Sequence, residues 1–153
     1  MPVEIESEIV PYANIGAVAG TPYTPTVTQS GTVTSFTTNT STYIQLGKLV
    51  FAWGRLTVNN AGTAAGANLV SVSLPVTARN ATDNIGFGKL FDTSAARIYA
   101  FNAIGAGAGV NFQLQPVAAE IDTGGAAVLG TLTFTDALAT GDIIDFHVMY
   151  LAA

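Results

Sequence analysis

The sequence contains no cysteine and a single histidine, and charged residues make up only 10% of its 153 residues. Without cysteine the chain cannot form disulfides, thiolate zinc sites or a cysteine nucleophile. The five Lys and Arg are outnumbered by ten Asp and Glu, which gives a formal net charge of −5. Such a chain has no basic surface for nucleic acid or an acidic membrane, so we predict neither as a partner.

Helical periodicity is also missing. No stretch keeps apolar residues at helical spacing over three turns, and glycine interrupts the alanine-rich pieces. The long uncharged stretches 9–47 and 98–119 hold too many polar residues, prolines and glycines to predict a membrane-spanning helix. Three glutamates, Glu4, Glu6 and Glu8, stand where a secretory signal would be positively charged, so we expect no such signal.

The sequence does contain many short segments that alternate between apolar and polar residues and end at glycine, proline or asparagine. The predicted strands are 3–9, 23–28, 32–37, 43–46, 48–58, 69–74, 85–91, 95–101, 110–115, 117–121, 126–135 and 141–151. Because no helical crossovers separate them, the strands are expected to be antiparallel. The predicted fold is all-β: a single antiparallel β-sandwich, jelly-roll-like, with a short extended N-terminal arm.

The predicted domain division places the arm at 1–21 and the β-sandwich domain at 22–153. In the arm Val3, Ile5 and Ile9 alternate with glutamates, which gives one apolar and one acidic edge. A strand of this kind can add to the edge of a neighbouring protein's sheet, so these three residues are the candidate docking residues. The same pattern also fits a first strand of the sandwich, or a frayed terminus.

His147 and Asp145 are the first candidates for catalysis, because residues two apart share a strand face. A hydrolase would also need a nucleophile and oxyanion donors around the histidine, and no G-x-S-x-G motif is present. The Asp122-Thr123-Gly124 triplet matches the aspartic-protease motif, but one copy followed by Gly125 predicts a turn. We therefore predict no enzyme activity, no catalytic residue and no small-molecule substrate.

Binding sites for ions and cofactors are not predicted either. Asp136, Asp142 and Asp145 lie close together in sequence, but no calcium-loop motif connects them. A calcium ion shared between subunits is the one metal arrangement left open. The glycine runs do not have the spacing of a phosphate-binding loop.

The segment 23–78 resembles a module of tailed-bacteriophage virion proteins, which include tail-fibre tips, head fibres and capsid decoration proteins. The matching pieces are Tyr23-Thr24-Pro25, Gly31-Thr32-Val33, Tyr43-Ile44-Gln45-Leu46-Gly47-Lys48, Trp53-Gly54-Arg55-Leu56 and Ser73-Leu74-Pro75-Val76. The closing pieces Thr131-Leu132-Thr133-Phe134, Gly141-Asp142-Ile143-Ile144 and Tyr150 also look like that module. Together the pieces cover about half of the chain.

Four aromatic residues are candidate anchors of either the core or a contact between subunits: Tyr43, Phe51, Trp53 and Tyr150. Maintaining the fold is the simpler interpretation of their role, and contacting a ligand is the alternative. The low charge also allows two interpretations, a surface coated by the 20 threonines or a surface covered by sister subunits.

The resemblance implies a virion protein on the capsid surface. The expected function is capsid decoration, in which a homotrimer binds the phage major capsid protein and stabilises the shell. The alternative is a receptor-binding head of a tail fibre or tail tip, which recognises a host glycan or protein.

Overall fold

The computed structural model describes residues 19–29, 32–33, 35–60, 70–94, 96–117 and 137–153. The strands are β1 (Thr21–Pro22), β2 (Val27–Thr28), β3 (Thr32–Val33), β4 (Phe36–Asn39), β5 (Thr42–Leu46), β6 (Leu49–Val58), β7 (Ser71–Ser73), β8 (Asn84–Asp92), β9 (Arg97–Ala106), β10 (Asn111–Pro116) and β11 (Ile143–Leu151). A 3₁₀ turn, Gly107–Gly109, separates β9 from β10. No α-helix occurs among the residues described.

The strands join in one sheet in the order β1-β5-β6-β11-β8-β9-β10-β7-β2-β3, and β4 pairs with β6 beside β5. The described strand pairs are all antiparallel. The predicted all-β, antiparallel class is therefore confirmed. The short β1, which contains Pro22, is an edge strand, a position where a proline disrupts no interior ladder.

The hydrophobic core lies on the inner face of this sheet. Alternate residues of β6 and β11 point into it, because successive side chains of a strand face opposite sides. The larger apolar side chains that are fully buried are Val27, Val50, Leu56, Val58, Val70, Val72, Phe101, Phe112, Leu114, Ile144 and Phe146. Burial of each such side chain stabilises the fold by about 1.5–3 kcal/mol.

The sheet curls so that distant strands face each other across the core. The ring centroids of Phe112 in β10 and Phe146 in β11 are 5.3 Å apart. Between these strands lie β8 and β9, so in a flat sheet the backbones would be roughly 14 Å apart. The two rings can touch only because β10 folds over the inner face of β11.

The region around β9 differs from the sequence prediction. The sequence predicts a strand over 95–101, whereas β9 begins at Arg97 and continues to Ala106. Gly105 pairs with Phe112 and donates its N–H to the carbonyl of Asp83 at 2.9 Å. A Cβ on Gly105 would lie only 3.1 Å from the backbone of Ala81, so the glycine admits the passing loop rather than ending the strand. The predicted strands 3–9, 126–135 and most of 117–121 lie outside the described residues.

Candidate functional site

The outer face of the sheet, on the side away from the core, carries side chains in rows that run across strands. β11 lies between β6 and β8, and their register places His147 beside both Trp53 and Phe87. One row further along, Asp145 lies beside both Arg55 and Lys89. Antiparallel partners in register point to the same side of a sheet, so each row forms a line of neighbouring side chains.

The opposite end of the outer face is apolar. We call it the apolar end; it consists of Ile44, Leu46, Leu49, Phe51, Met149 and Leu151. Leu46, Met149 and Leu151 are 52%, 56% and 47% exposed. Contiguous exposed apolar side chains are a common feature of surfaces that contact other molecules.

The middle of the outer face holds a groove with aromatic walls. Trp53, Phe87 and His147 line this aromatic groove, whose volume is about 600 Å³. Phe87 is 65% exposed, and its ring centroid lies 5.9 Å from that of His147 at an interplanar angle of 31°. The groove continues towards the apolar end as a second hollow of about 480 Å³, which Phe51 and Met149 help to line.

A cation–carboxylate–cation row closes the other end of the aromatic groove. Asp145 contacts Arg55 Nε through Oδ1 and Lys89 Nζ through Oδ2, each at 3.4 Å. The side chains of Arg55 and Lys89 are 54% and 53% exposed, whereas that of Asp145 is 19% exposed. Two positive charges therefore share one negative charge, and the row has an excess of one positive charge.

Two glycines form the floor beneath this row and the groove. Gly54 and Gly88 are the partners of Phe146 in β6 and β8. A Cβ on Gly54 would overlap the ring of Phe146, and a Cβ on Gly88 would overlap the ring of Phe101. Glycine at both positions lets the two buried rings pack directly against the backbone under the groove.

The four predicted anchors separate onto the two faces. Phe51 and Trp53 lie half-buried on the outer face, whereas Tyr150 is buried in the core and Tyr43 packs against it. Burial raises the pKa of Tyr150 to about 12, although its hydroxyl's hydrogen bond to Val76 acts in the opposite direction. Burial also raises the pKa of Tyr23, and repulsion from the negative charge of a deprotonated Tyr150 raises it further.

The residues considered for catalysis and metal binding are held in separate contacts. Asp145 and His147 share the outer face as predicted, but both Asp145 oxygens contact cations. Asp142 is buried and accepts hydrogen bonds from Thr93 N and Oγ1, both at 3.0 Å, and from Ala139 N at 2.7 Å. Within the described ranges, no three His, Asp or Glu side chains are grouped to hold a metal ion.

Several predicted positions lie outside the described residues. These are the docking residues Val3, Ile5 and Ile9, the triplet 122–124 and Asp136.

Sequence reasoning missed Phe87 and Lys89, which complete the groove and the charged row. The sequence shows that Phe87 and Lys89 lie on the same face of β8, but it does not show which strand lies beside β8.

In the part of the chain that is described, no helix is long and apolar enough to cross a membrane. Comparisons with protein-family models, curated proteins and solved structures found no match.

Proposed function

We propose that this chain is a structural protein of a tailed-bacteriophage virion, and that it acts as a capsid decoration protein. In this role it binds the head exterior and stabilises the shell through contacts between proteins. The phage assignment rests on the resemblance of segment 23–78 and of the closing strand to virion modules.

The observation that carries the assembly role is the apolar end of the outer face. Leu46, Met149 and Leu151 are about half exposed, in a chain with only 15 charged residues. When a second copy covers such a surface, apolar area is removed from water, and each Å² buried stabilises the contact by roughly 25 cal/mol. Closed symmetric association is the usual way for identical subunits to do so, and a homotrimer is the proposed state.

The curled sheet supports the finer fold assignment, a jelly-roll-like β-sandwich. The wall around β6, β11 and β8 faces the wall around β10 and β7 across a shared core. The contact between Phe112 and Phe146 joins the two walls. In such a sandwich one sheet packs its inner face against the core, and its outer face, which carries the apolar end, is left open to a partner.

A receptor-binding head is the second candidate function, and the aromatic groove favours it. Trp53 and Phe87 line this groove on the face of the sheet itself. A groove of this kind suits ligand binding, which a purely adhesive shell protein does not require.

Antibody labelling of phage particles that carry this sequence separates the two functions. Label spread over the head is the expected result. Label confined to the tail tip would support the receptor-binding head instead. Particles without label, from a lysate in which the protein is detected by blotting, would contradict both virion roles.

A further inference from the structure

We propose that the aromatic groove and the charged row beside it bind an acidic saccharide, one whose sugar rings carry carboxylate groups. The sugar ring would lie against Trp53 and Phe87, and its carboxylate would contact Arg55 and Lys89. This site adjoins the apolar end proposed for self-association but shares no residue with it.

Charge complementarity indicates an anionic ligand. Arg55 and Lys89 are two of only five Lys and Arg in a chain with a net charge of −5. Both contact the single carboxylate of Asp145, and both are more than half exposed. The pair therefore keeps one positive charge in excess, on side chains that are open to solvent. A ligand carboxylate would complete the row with charge-assisted hydrogen bonds.

The exposed rings indicate that the anion belongs to a molecule with a ring-shaped apolar face. Phe87 remains 65% exposed although an aromatic face is normally covered in a folded protein. Phe87 and Lys89 are two residues apart on the same face of β8, and Trp53 and Arg55 are two residues apart on the same face of β6. The C–H face of a sugar can pack on such rings while its acidic group reaches the cations.

The strand order argues against an extended peptide as the occupant. A peptide that adds to a sheet needs a free edge, where its main chain can pair. The three strands that form the groove are interior: β6 lies between β5 and β11, β11 between β6 and β8, and β8 between β11 and β9. Because these main-chain ladders are already paired, the ligand has to be held by side chains alone. Rings and cations in a groove on the face of a sheet suit a saccharide better than an added strand.

The test uses the full chain and an immobilised panel of oligosaccharides that contain galacturonate, glucuronate or sialic acid. The same oligosaccharides with the carboxyl group reduced to an alcohol serve as matched neutral probes. We expect binding to at least one acidic member, weaker binding as salt is added, and a loss of roughly tenfold or more in the neutral counterpart.

Variants then locate the binding on the molecule. Lys89→Gln, Arg55→Gln and Phe87→Ala should each weaken binding by roughly tenfold, since each removes an exposed contact without opening the core. Lys48→Gln and Ile98→Ala, which change an exposed cation and an exposed apolar residue outside the groove, should leave it unchanged. Circular dichroism confirms that each variant is folded.

Four outcomes would overturn the proposal. They are no binding to any acidic member, equal binding to the neutral counterparts, equal loss in the control variants, and preferential binding of an acidic peptide. A synthetic peptide of residues 1–12 tests the last case, because it contains three glutamates of this chain. The oligomeric state is measured separately, so failure here does not decide the self-association proposal.

Discussion

The hydroxyl of Tyr150 donates a hydrogen bond to the carbonyl oxygen of Val76 at 2.8 Å and accepts one from the Val76 N–H at 3.4 Å. Through this pair, the last strand holds the chain that follows β7. Tyr150 is buried in the core, and removing its hydroxyl would take away the hydrogen-bond partner of two partly buried Val76 groups. We therefore expect Tyr150→Phe to lower the free energy of unfolding by about 1–3 kcal/mol in urea titrations.

Tyr23→Phe is the matched control for that substitution. Among the described residues, the buried Tyr23 hydroxyl has no hydrogen-bond partner. The ring packs edge-on against Tyr43 with centroids 6.0 Å apart, a contact that phenylalanine keeps. Removing the hydroxyl should leave the free energy of unfolding unchanged or raise it by up to about 1 kcal/mol. Equal losses in the two variants would contradict this assignment of roles.

The same tyrosines predict how stability depends on alkaline pH. Burial raises the pKa of Tyr150 from 10.0 to about 12, so between those values the unfolded chain loses a proton that the folded chain keeps. The free energy of unfolding should therefore be insensitive to this group below pH 10 and fall as the pH rises towards 12. Urea titrations across this range measure the slope. In the double variant Tyr23→Phe/Tyr150→Phe the free energy of unfolding should fall less steeply with pH. An unchanged slope would contradict the prediction.

Asp142 is expected to be a major determinant of stability. Its buried carboxylate accepts hydrogen bonds from Thr93, in the turn after β8, and from Ala139, in the segment before β11. Asp142→Ala would leave those donors unpaired, and we expect a loss of about 2–4 kcal/mol in the free energy of unfolding. Asp83→Ala is the control, because Asp83 is exposed and its carboxylate contacts only Asn80 among the described hydrogen bonds. That variant should change stability by less than about 0.5 kcal/mol.

The two long strands were the easiest part to predict from the sequence. In β6 and β11 the two-residue period of a strand divides nine or ten side chains into two faces, and burial alternates accordingly. Polarity alone does not say which face of β6 is buried, because Leu49, Phe51 and Trp53 make the outer face partly apolar as well. Phe146 and Tyr150 are four residues apart in the last strand, so the period places them on one face, and both are buried.

The candidate site was harder to predict because it depends on which strands are neighbours. β8 and β11 are far apart in sequence, and nothing in either segment specifies that Phe87 pairs with His147. β8 also contains an irregularity between Asn84 and Gly86, next to the buried Ile85, which interrupts the simple alternation along the strand. The groove and the charged row are products of this register, so they became visible only in the folded sheet.

Met149→Glu tests self-association through the apolar end. Met149 is 56% exposed, pairs with Phe51 of β6 and, like Phe51, helps to line the second hollow of the groove. A carboxylate there would be desolvated in a contact between copies, so the mass from light scattering should fall from trimer to monomer. Val110→Glu is the control, because Val110 is 46% exposed but lies beside the 3₁₀ turn. A monomeric parent protein, or a Met149→Glu variant of unchanged mass, would contradict the prediction.

Deletion of residues 1–18 tests the docking role assigned to Val3, Ile5 and Ile9. The truncated chain keeps Gly20, which lies against Thr42, and the pairing of β1 with β5. We therefore expect an unchanged melting temperature and oligomeric state but loss of binding to phage particles, because strand addition to the shell would need the deleted segment. Replacing Glu4, Glu6 and Glu8 by glutamine is the control, since it keeps the apolar edge and should retain binding. If the truncated protein unfolds, the segment is part of the folded β domain. If it still binds particles at full occupancy, docking occurs through another surface.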